Sequence, residues 1–180
     1  MATRAQSVTE RGGKTADPAS GALSAPLFQS VIERLRGAGG RCVVLDLGAA
    51  RPETIRLLGE FRCRLDIVDL ADGLEQLNTP EQTPRGLRER AESLLPPRRR
   101  EPADVVLCWD LLNYLNRPAL SMVMECIAAR ARRGTLAHAL VVYSARKMPV
   151  RPSTFFPIDE QHLTSLAPAQ TERDAPRYTP

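Results

Sequence analysis

The chain has 180 residues, of which 43% are hydrophobic and 26% charged, as is typical of one globular domain. Its net charge of +4 is carried almost entirely by arginine and is too small to call for a nucleic-acid partner. No stretch approaches the roughly 20 apolar residues of a membrane span, so we expect a cytoplasmic protein without a membrane partner. The cysteines lie singly in apolar runs, which argues against a metal site and favours buried thiols. They are Cys42, Cys63, Cys108 and Cys126.

The first part of the chain predicts a tail followed by a strand–helix–strand unit. Residues 1–22 are rich in Ser, Thr, Gly and Ala without an apolar period, which is typical of a disordered segment. Helical spacing of apolar residues over 27–35 predicts a helix. The continuously apolar run 41–47, bounded by glycines, predicts a strand covered on both faces. A helix beginning at Pro52 and a strand over 63–69 complete a right-handed βαβ unit.

The second part continues the alternation of helices and strands. A helix is expected over 87–95, since Pro96 and Pro97 end it. The apolar run 103–109 predicts a strand. Asn116 is a suitable cap for a further helix, after which 135–144 predicts another strand. Beyond that strand come several prolines, a short helical pattern over 159–166 and a polar end.

This order of elements predicts an α/β fold of three layers, α/β/α, with a doubly wound and mainly parallel sheet. We divide the chain into a disordered tail (1–22), the α/β domain (23–148) and a Pro-rich C-terminal extension with a short helix (149–180). In such sheets a ligand binds beyond the carboxyl ends of the strands, at the topological switch point. The turns that follow the strands are therefore the places to look for a site.

The turn after the first predicted strand carries the most specific signal. Its sequence is Asp46-Leu-Gly-Ala-Ala-Arg-Pro52, leading into a helix N-terminus where unpaired amides can meet an anionic group. Neither the G-x-G-x-x-G nor the P-loop pattern is present. The turn resembles motif I of the class I S-adenosylmethionine-dependent methyltransferases, in which the form is D/E-x-G-x-G-x-G. Asp46 and Gly48 match, while Ala50 and Pro52 replace the second and third glycines.

The resemblance implies S-adenosylmethionine as cofactor. Asp69 ends the next predicted strand, 21 residues after Gly48, where the family has an acidic residue that holds the ribose hydroxyls. Alternatively, Asp69 only caps the helix that follows it. The resemblance also implies cofactor contacts from residues around these motifs. They are Ala49, Ala50, Leu70, Cys108 and Trp109.

A third segment, residues 103–115, resembles the family's fourth strand and the polar residues after it. Asp110, Asn113 and Tyr114 become candidate catalytic residues there, with Asp110 orienting the acceptor or taking a proton. A helix-capping role for Asp110 is the alternative. Residues 131–136 resemble the family's L-x-P-G-G loop before the fifth strand. Two further strands normally close the family's sheet, but only 36 Pro-rich residues follow Ser144, so those C-terminal strands are expected to be missing.

Three functions follow from these patterns. The first is an S-adenosylmethionine-dependent methyltransferase, and we expect a small-molecule acceptor because no Asn/Asp-Pro-Pro-Tyr/Phe motif follows Trp109. The second is a methyltransferase-fold protein without catalysis, which binds a protein partner or serves as a scaffold. The third, a nucleic-acid binder, depends on the basic run 98–100, for which a solvated loop is the alternative.

Overall fold

The computed structural model describes residues 21–80, 83–98, 101–166 and 171–176. Within that part the helices are α1 (Pro26–Arg36), α2 (Pro52–Gly59), α3 (Leu74–Leu77), α4 (Pro84–Leu94) and α5 (Arg117–Ala128). The strands are β1 (Leu23–Ser24), β2 (Cys42–Asp46), β3 (Cys63–Ile67), β4 (Ala103–Trp109), β5 (Ala131–Ala139), β6 (Lys147–Pro149), β7 (Thr154–Pro157), β8 (His162–Leu166) and β9 (Glu172–Asp174). Short 3-10 turns follow β3 at Leu70–Gly73 and β4 at Leu111–Tyr114.

The centre of the fold is a four-stranded parallel sheet in the order β3–β2–β4–β5. From β2 the chain first moves outward to β3 and then crosses back to β4 on the other side of β2. The gap between the carboxyl ends of β2 and β4 is therefore the topological switch point, at which sheets of this kind bind ligands. We call this side of the sheet the carboxyl edge and the opposite side, where the strands begin, the amino edge.

Helices cover both faces of the sheet, as the sequence predicts. Side chains along β2 and β4 alternate between two separate apolar clusters, so that Val44 and Val105 face one cluster and Leu45 and Val106 the other. The first cluster contains the buried side chains of α1 and α2, and the second those of α3, α4 and α5. Because every residue of β2 and β4 is buried, these strands are continuously apolar rather than alternating. The α/β architecture with helices on both faces is confirmed.

The expected helix over 159–166 is wrong. His162–Leu166 is strand β8, which lies between β1 and β7 in a three-stranded antiparallel sheet. Leu163 is completely buried among the side chains of α1 and α2, and this packing against distant residues overrides the local helical pattern. A separate two-stranded sheet joins β6 to β9, so the expected boundary at 148/149 falls inside β6. Among the described residues, no antiparallel strand joins the central sheet.

The last parallel strand also differs from its prediction, since it runs over Ala131–Ala139 rather than over 135–144. Ala131 pairs with Ala103 and Leu136 with Val105, so β5 carries extra residues in a bulge. Gly134 lies in the bulge with a φ of 85°, a conformation that favours glycine. The segment interpreted as a loop of the L-x-P-G-G kind is thus part of the strand.

Some expectations fall outside the described residues. The predicted disordered tail is one of them, apart from its last two residues. Of the basic run 98–100 only Arg98 is described, and its guanidinium donates to Glu92 at 2.7 Å. At Arg98 the guanidinium is thus paired within the protein, and the rest of the run lies outside the described residues. In the described part of the chain, no helix is long and apolar enough to cross a membrane.

Candidate functional site

A cleft of about 110 Å³ lies at the switch point between β2 and β4. One wall comes from the turns after the parallel strands and contains several of the predicted cofactor residues. The opposite wall comes from the start of β7 and the two residues before it. The lining residues are Gly48, Ala49, Asp69, Ala71, Asp72, Trp109 and Leu111 on the first wall and Pro152, Ser153, Thr154 and Phe155 on the second.

Asp46 organises the turn after β2. Its side chain is 1% exposed, and one carboxylate oxygen accepts hydrogen bonds from the Gly48 N–H at 2.9 Å and from the Trp109 indole N–H at 2.6 Å. Burial raises the pKa of Asp46 to about 6, although both hydrogen bonds act in the opposite direction. The resemblance to motif I places Asp46 at the cofactor, but one of its carboxylate oxygens already accepts two hydrogen bonds from the protein itself.

Trp109 fills the space directly above the turn. Its backbone has a φ of 48°, the left-handed conformation that is rare for a bulky residue and is often found at functional sites. A Cβ atom at position 48 would lie 2.6 Å from the indole Cδ1 and Nε1 atoms. The indole also stacks on Phe28, with the ring centroids 6.3 Å apart. Position 48 therefore needs glycine because the protein's own tryptophan approaches it so closely.

Asp69 is exposed at the mouth of the cleft, next to Asp72. Burial raises its pKa and the negative charge of Asp72 raises it further, whereas the Ala71 N–H lowers it. Ala71 belongs to the 3-10 turn that begins at Leu70, so this contact is to the turn itself, although it does not have the geometry of a side-chain cap. Both roles stay open for Asp69, because the exposed carboxylate is accessible to a ligand and also contacts the start of the turn.

The remaining predicted cofactor residues divide into two groups. Ala49 lines the cleft, and Ala50 beside it is exposed. The side chains of Leu70 and Cys108 are completely buried in the apolar cluster under α3, α4 and α5. Burial raises the pKa of the Cys108 thiol to about 12, as expected of a core cysteine. The side chains of Leu70 and Cys108 thus face the core and not the cleft.

Among the three candidate catalytic residues, only Asp110 keeps an unused acceptor. The carboxylate is 8% exposed; its Oδ2 atom accepts from the Ser153 N–H at 3.0 Å, and its Oδ1 atom is buried without a partner in the described structure. Burial raises the pKa of Asp110 to about 6. A buried carboxylate that lacks a cation is costly and is more common at functional sites than elsewhere.

Asn113 and Tyr114 hold the chain in place. The Asn113 amide donates to the carbonyls of Asp110 and Leu140 and accepts from the Val142 N–H, so it joins the ends of β4 and β5. The Tyr114 hydroxyl donates to the Arg151 carbonyl at 2.9 Å, and burial raises its pKa to about 12. Both side chains are buried and bonded to backbone, which favours a positioning role over a catalytic one.

The segment Pro152–Phe155 is the part of the site that the sequence did not predict. The Ser153 bond to Asp110 holds it across the carboxyl edge, and the Arg51 guanidinium lies over the Phe156 ring at 4.7 Å. The adjacent aromatic residues Phe155 and Phe156 were the available signal, since such a pair in a Pro-rich stretch indicates a packed strand. The partners on the other side are distant in sequence and could not be found from it.

Comparison with protein-family models, curated proteins and solved structures gave no match. The fold and the contacts around the cleft are therefore the basis for assigning a function.

Proposed function

We propose that the chain binds the adenosyl part of S-adenosylmethionine at the carboxyl edge and transfers the methyl group to a small-molecule acceptor. The observation that carries this proposal is the position of Asp69, whose exposed carboxylate faces a cleft at the switch point of a parallel sheet. A single carboxylate in this position can accept hydrogen bonds from both hydroxyls of a ribose.

The cleft in its present form suits a ribose better than a complete nucleoside. Its volume of about 110 Å³ is below the roughly 300–1,000 Å³ of most small-molecule sites. Trp109 and the segment Pro152–Phe155 limit it. Ser153 is held by the bond from its N–H to Asp110, whereas Thr154 and Phe155 belong to β7 and pair with Leu166 and Ser165 of β8. Binding of the whole cofactor would therefore require Pro152 and Ser153, which precede β7, to move outward.

The residues around the cleft would each have a simple task. The cofactor, when bound, supplies an activated methyl group, so the protein needs only to position the acceptor and exclude water. Asp69 would hold the ribose. Asp110 does not line the cleft, but once Ser153 moves outward it would accept a hydrogen bond or a proton from the acceptor, because its Oδ1 atom has no other partner and its pKa of about 6 leaves it mainly ionised at neutral pH.

Calorimetric titration with S-adenosylhomocysteine tests the proposal. We expect saturable binding to the wild-type chain and at least a tenfold weaker affinity for Asp69→Ala. The matched control is Glu89→Gln, which removes an exposed carboxylate on α4 away from the cleft and should leave the affinity unchanged. Equal binding by wild type and Asp69→Ala would mean that the ligand is held elsewhere.

The same titration tests a second candidate, a binding or scaffold protein without catalysis. The observation that favours it is that the protein's own side chains occupy the turn after β2: Asp46 accepts a hydrogen bond from the Trp109 indole, and the indole covers Gly48. If millimolar S-adenosylhomocysteine produces neither heat nor thermal stabilisation, the methyltransferase proposal fails and the scaffold becomes the better description.

A further inference from the structure

Two cysteines lie side by side at the amino edge, far from the cleft. Cys42 is the first residue of β2 and Cys63 the first residue of β3, and the parallel register pairs them directly. Both side chains pack on the apolar cluster under α1 and α2, so they project from the same face of the sheet. Both are free thiols in this structure.

The spacing of neighbouring strands brings such a pair within reach of a disulfide. Adjacent strands lie about 4.8 Å apart, and the Cα atoms of disulfides are usually about 4.4–6.8 Å apart. The two thiols already influence each other, since the pKa of Cys63 is raised first by burial and then by Cys42. The Cys63 Sγ donates to the Leu58 carbonyl at 3.2 Å, so disulfide formation requires this thiol to leave that bond and turn toward Cys42.

We propose that Cys42 and Cys63 form a reversible disulfide between β2 and β3 when the protein meets a peroxide. Cys63 is the more exposed thiol and reacts first: its thiolate attacks one peroxide oxygen, the O–O bond breaks, and a sulfenic acid forms with release of hydroxide. The Cys42 thiolate then attacks the Cys63 sulfur, and the S–O bond breaks. With the two thiol protons, the products are one disulfide and two molecules of water.

The other cysteines provide an internal control. Cys108 and Cys126 lie in the apolar cluster on the opposite face, so the sheet separates them from the pair. Burial raises the pKa of all four thiols, so the direct register of Cys42 with Cys63, and not thiol acidity, distinguishes the pair. The double variant Cys108→Ser/Cys126→Ser should therefore form the disulfide as the wild type does, whereas Cys42→Ser and Cys63→Ser should not.

Peptide mapping of the wild-type chain is the decisive measurement, because it needs no variant to fold. After treatment with a small excess of hydrogen peroxide and trapping of free thiols, trypsin should release the peptide 42–56 linked to the dipeptide Cys63-Arg64. The Arg51–Pro52 bond resists trypsin, so the longer peptide ends at Arg56. Reduction should separate the two peptides.

Thermal unfolding gives a second readout. Closing the loop between positions 42 and 63 should raise the melting temperature by roughly 5 °C, and a reductant should reverse the rise. A linked peptide that joins other cysteines, a disulfide found only between two chains, or conversion of Cys63 to a sulfinic acid with no linked peptide would each overturn the proposal.

Discussion

A buried aspartate lies at each end of β4, and the two carboxylates differ in the partners that surround them. Asp104, at the amino edge, is 2% exposed, receives a hydrogen bond from the Val43 N–H at 2.9 Å and pairs with the guanidinium groups of Arg34 and Arg132. Asp110, at the carboxyl edge, is 8% exposed and has only the Ser153 N–H on one oxygen. No arginine or lysine is paired with it among the described contacts.

This difference supports the proposal that the carboxyl edge binds a ligand, whereas the amino edge contributes to stability. At the amino edge the negative charge is compensated, so it contributes to folding. At the carboxyl edge the charge is left uncompensated, and the pKa values of Asp46 and Asp110 are both raised to about 6. Groups that the fold leaves unpaired at such a cost are expected where another molecule completes the contacts.

The largest loss in the free energy of unfolding is expected from removing the Asp104 carboxylate at the amino edge. Asp104→Ala removes the acceptor of the buried Val43 N–H together with two ion pairs, and we expect a loss of about 3 kcal/mol in the free energy of unfolding. Urea unfolding at neutral pH measures it. Asp104→Asn keeps an acceptor for Val43 and should lose clearly less. A loss below the error of the measurement in both variants would contradict the comparison.

A gain in the free energy of unfolding is expected from neutralising Asp110, at the other end of β4. Because the pKa of Asp110 is raised from 3.8 to about 6, the wild type loses stability as the pH rises from about 4 to 6 and stays constant above. Asp110→Asn remains neutral and can still accept from Ser153. It should be more stable than the wild type by about 3 kcal/mol above pH 7 and equal to it below pH 4. Lower stability of the variant at pH 7.5 would show that the ionised carboxylate is stabilised.

The smallest effect concerns Glu92, whose carboxylate receives hydrogen bonds from Arg130 and Arg98. These bonds lower its pKa from 4.5 to about 2, so its contribution is present above pH 4.5 and is lost as the pH falls toward 2. Glu92→Gln should cost about 1 kcal/mol at pH 7, since the pair is partly screened by water. Glu89→Gln, in an exposed pair with Arg85, is the control and should change stability by only a few tenths of a kcal/mol. An equal loss of stability in both variants would show that the hydrogen bonds from Arg130 and Arg98 give Glu92 no more stabilising effect than an exposed ion pair has.

The sequence predicted β2, β3 and β4 because each has a strong local signal, whereas β5 was predicted over 135–144 and lies at Ala131–Ala139. The strands β2 and β4 are buried on both faces and hence continuously apolar, and Pro52 and Asn116 mark the helix starts they were assigned. The Asn116 side chain does accept a hydrogen bond from the Ala119 N–H. The short strands are formed by pairing with distant segments, since β8 pairs with β1 and β7, and β6 with β9. Of these strands β7 alone carried a local signal, the adjacent Phe155 and Phe156.

The candidate site was predicted in outline only. The positions of Gly48 and Asp69 at one cleft follow from strand–helix–strand geometry, which fixes their separation. The indole bond from Trp109 to Asp46 joins residues 63 positions apart and has no local pattern. Leu70 and Cys108 were assigned to the cofactor by resemblance to a motif, which does not specify the face of the backbone from which a side chain projects.

The close approach of Trp109 to Gly48 has a consequence for how this sequence can change over generations. Any side chain at position 48 collides with the indole, so a substitution there is tolerated only after position 109 has become smaller. A smaller residue at 109 would in turn leave Asp46 without its indole donor. The three positions are therefore expected to vary together, although Gly48 and Trp109 are 61 positions apart in the chain.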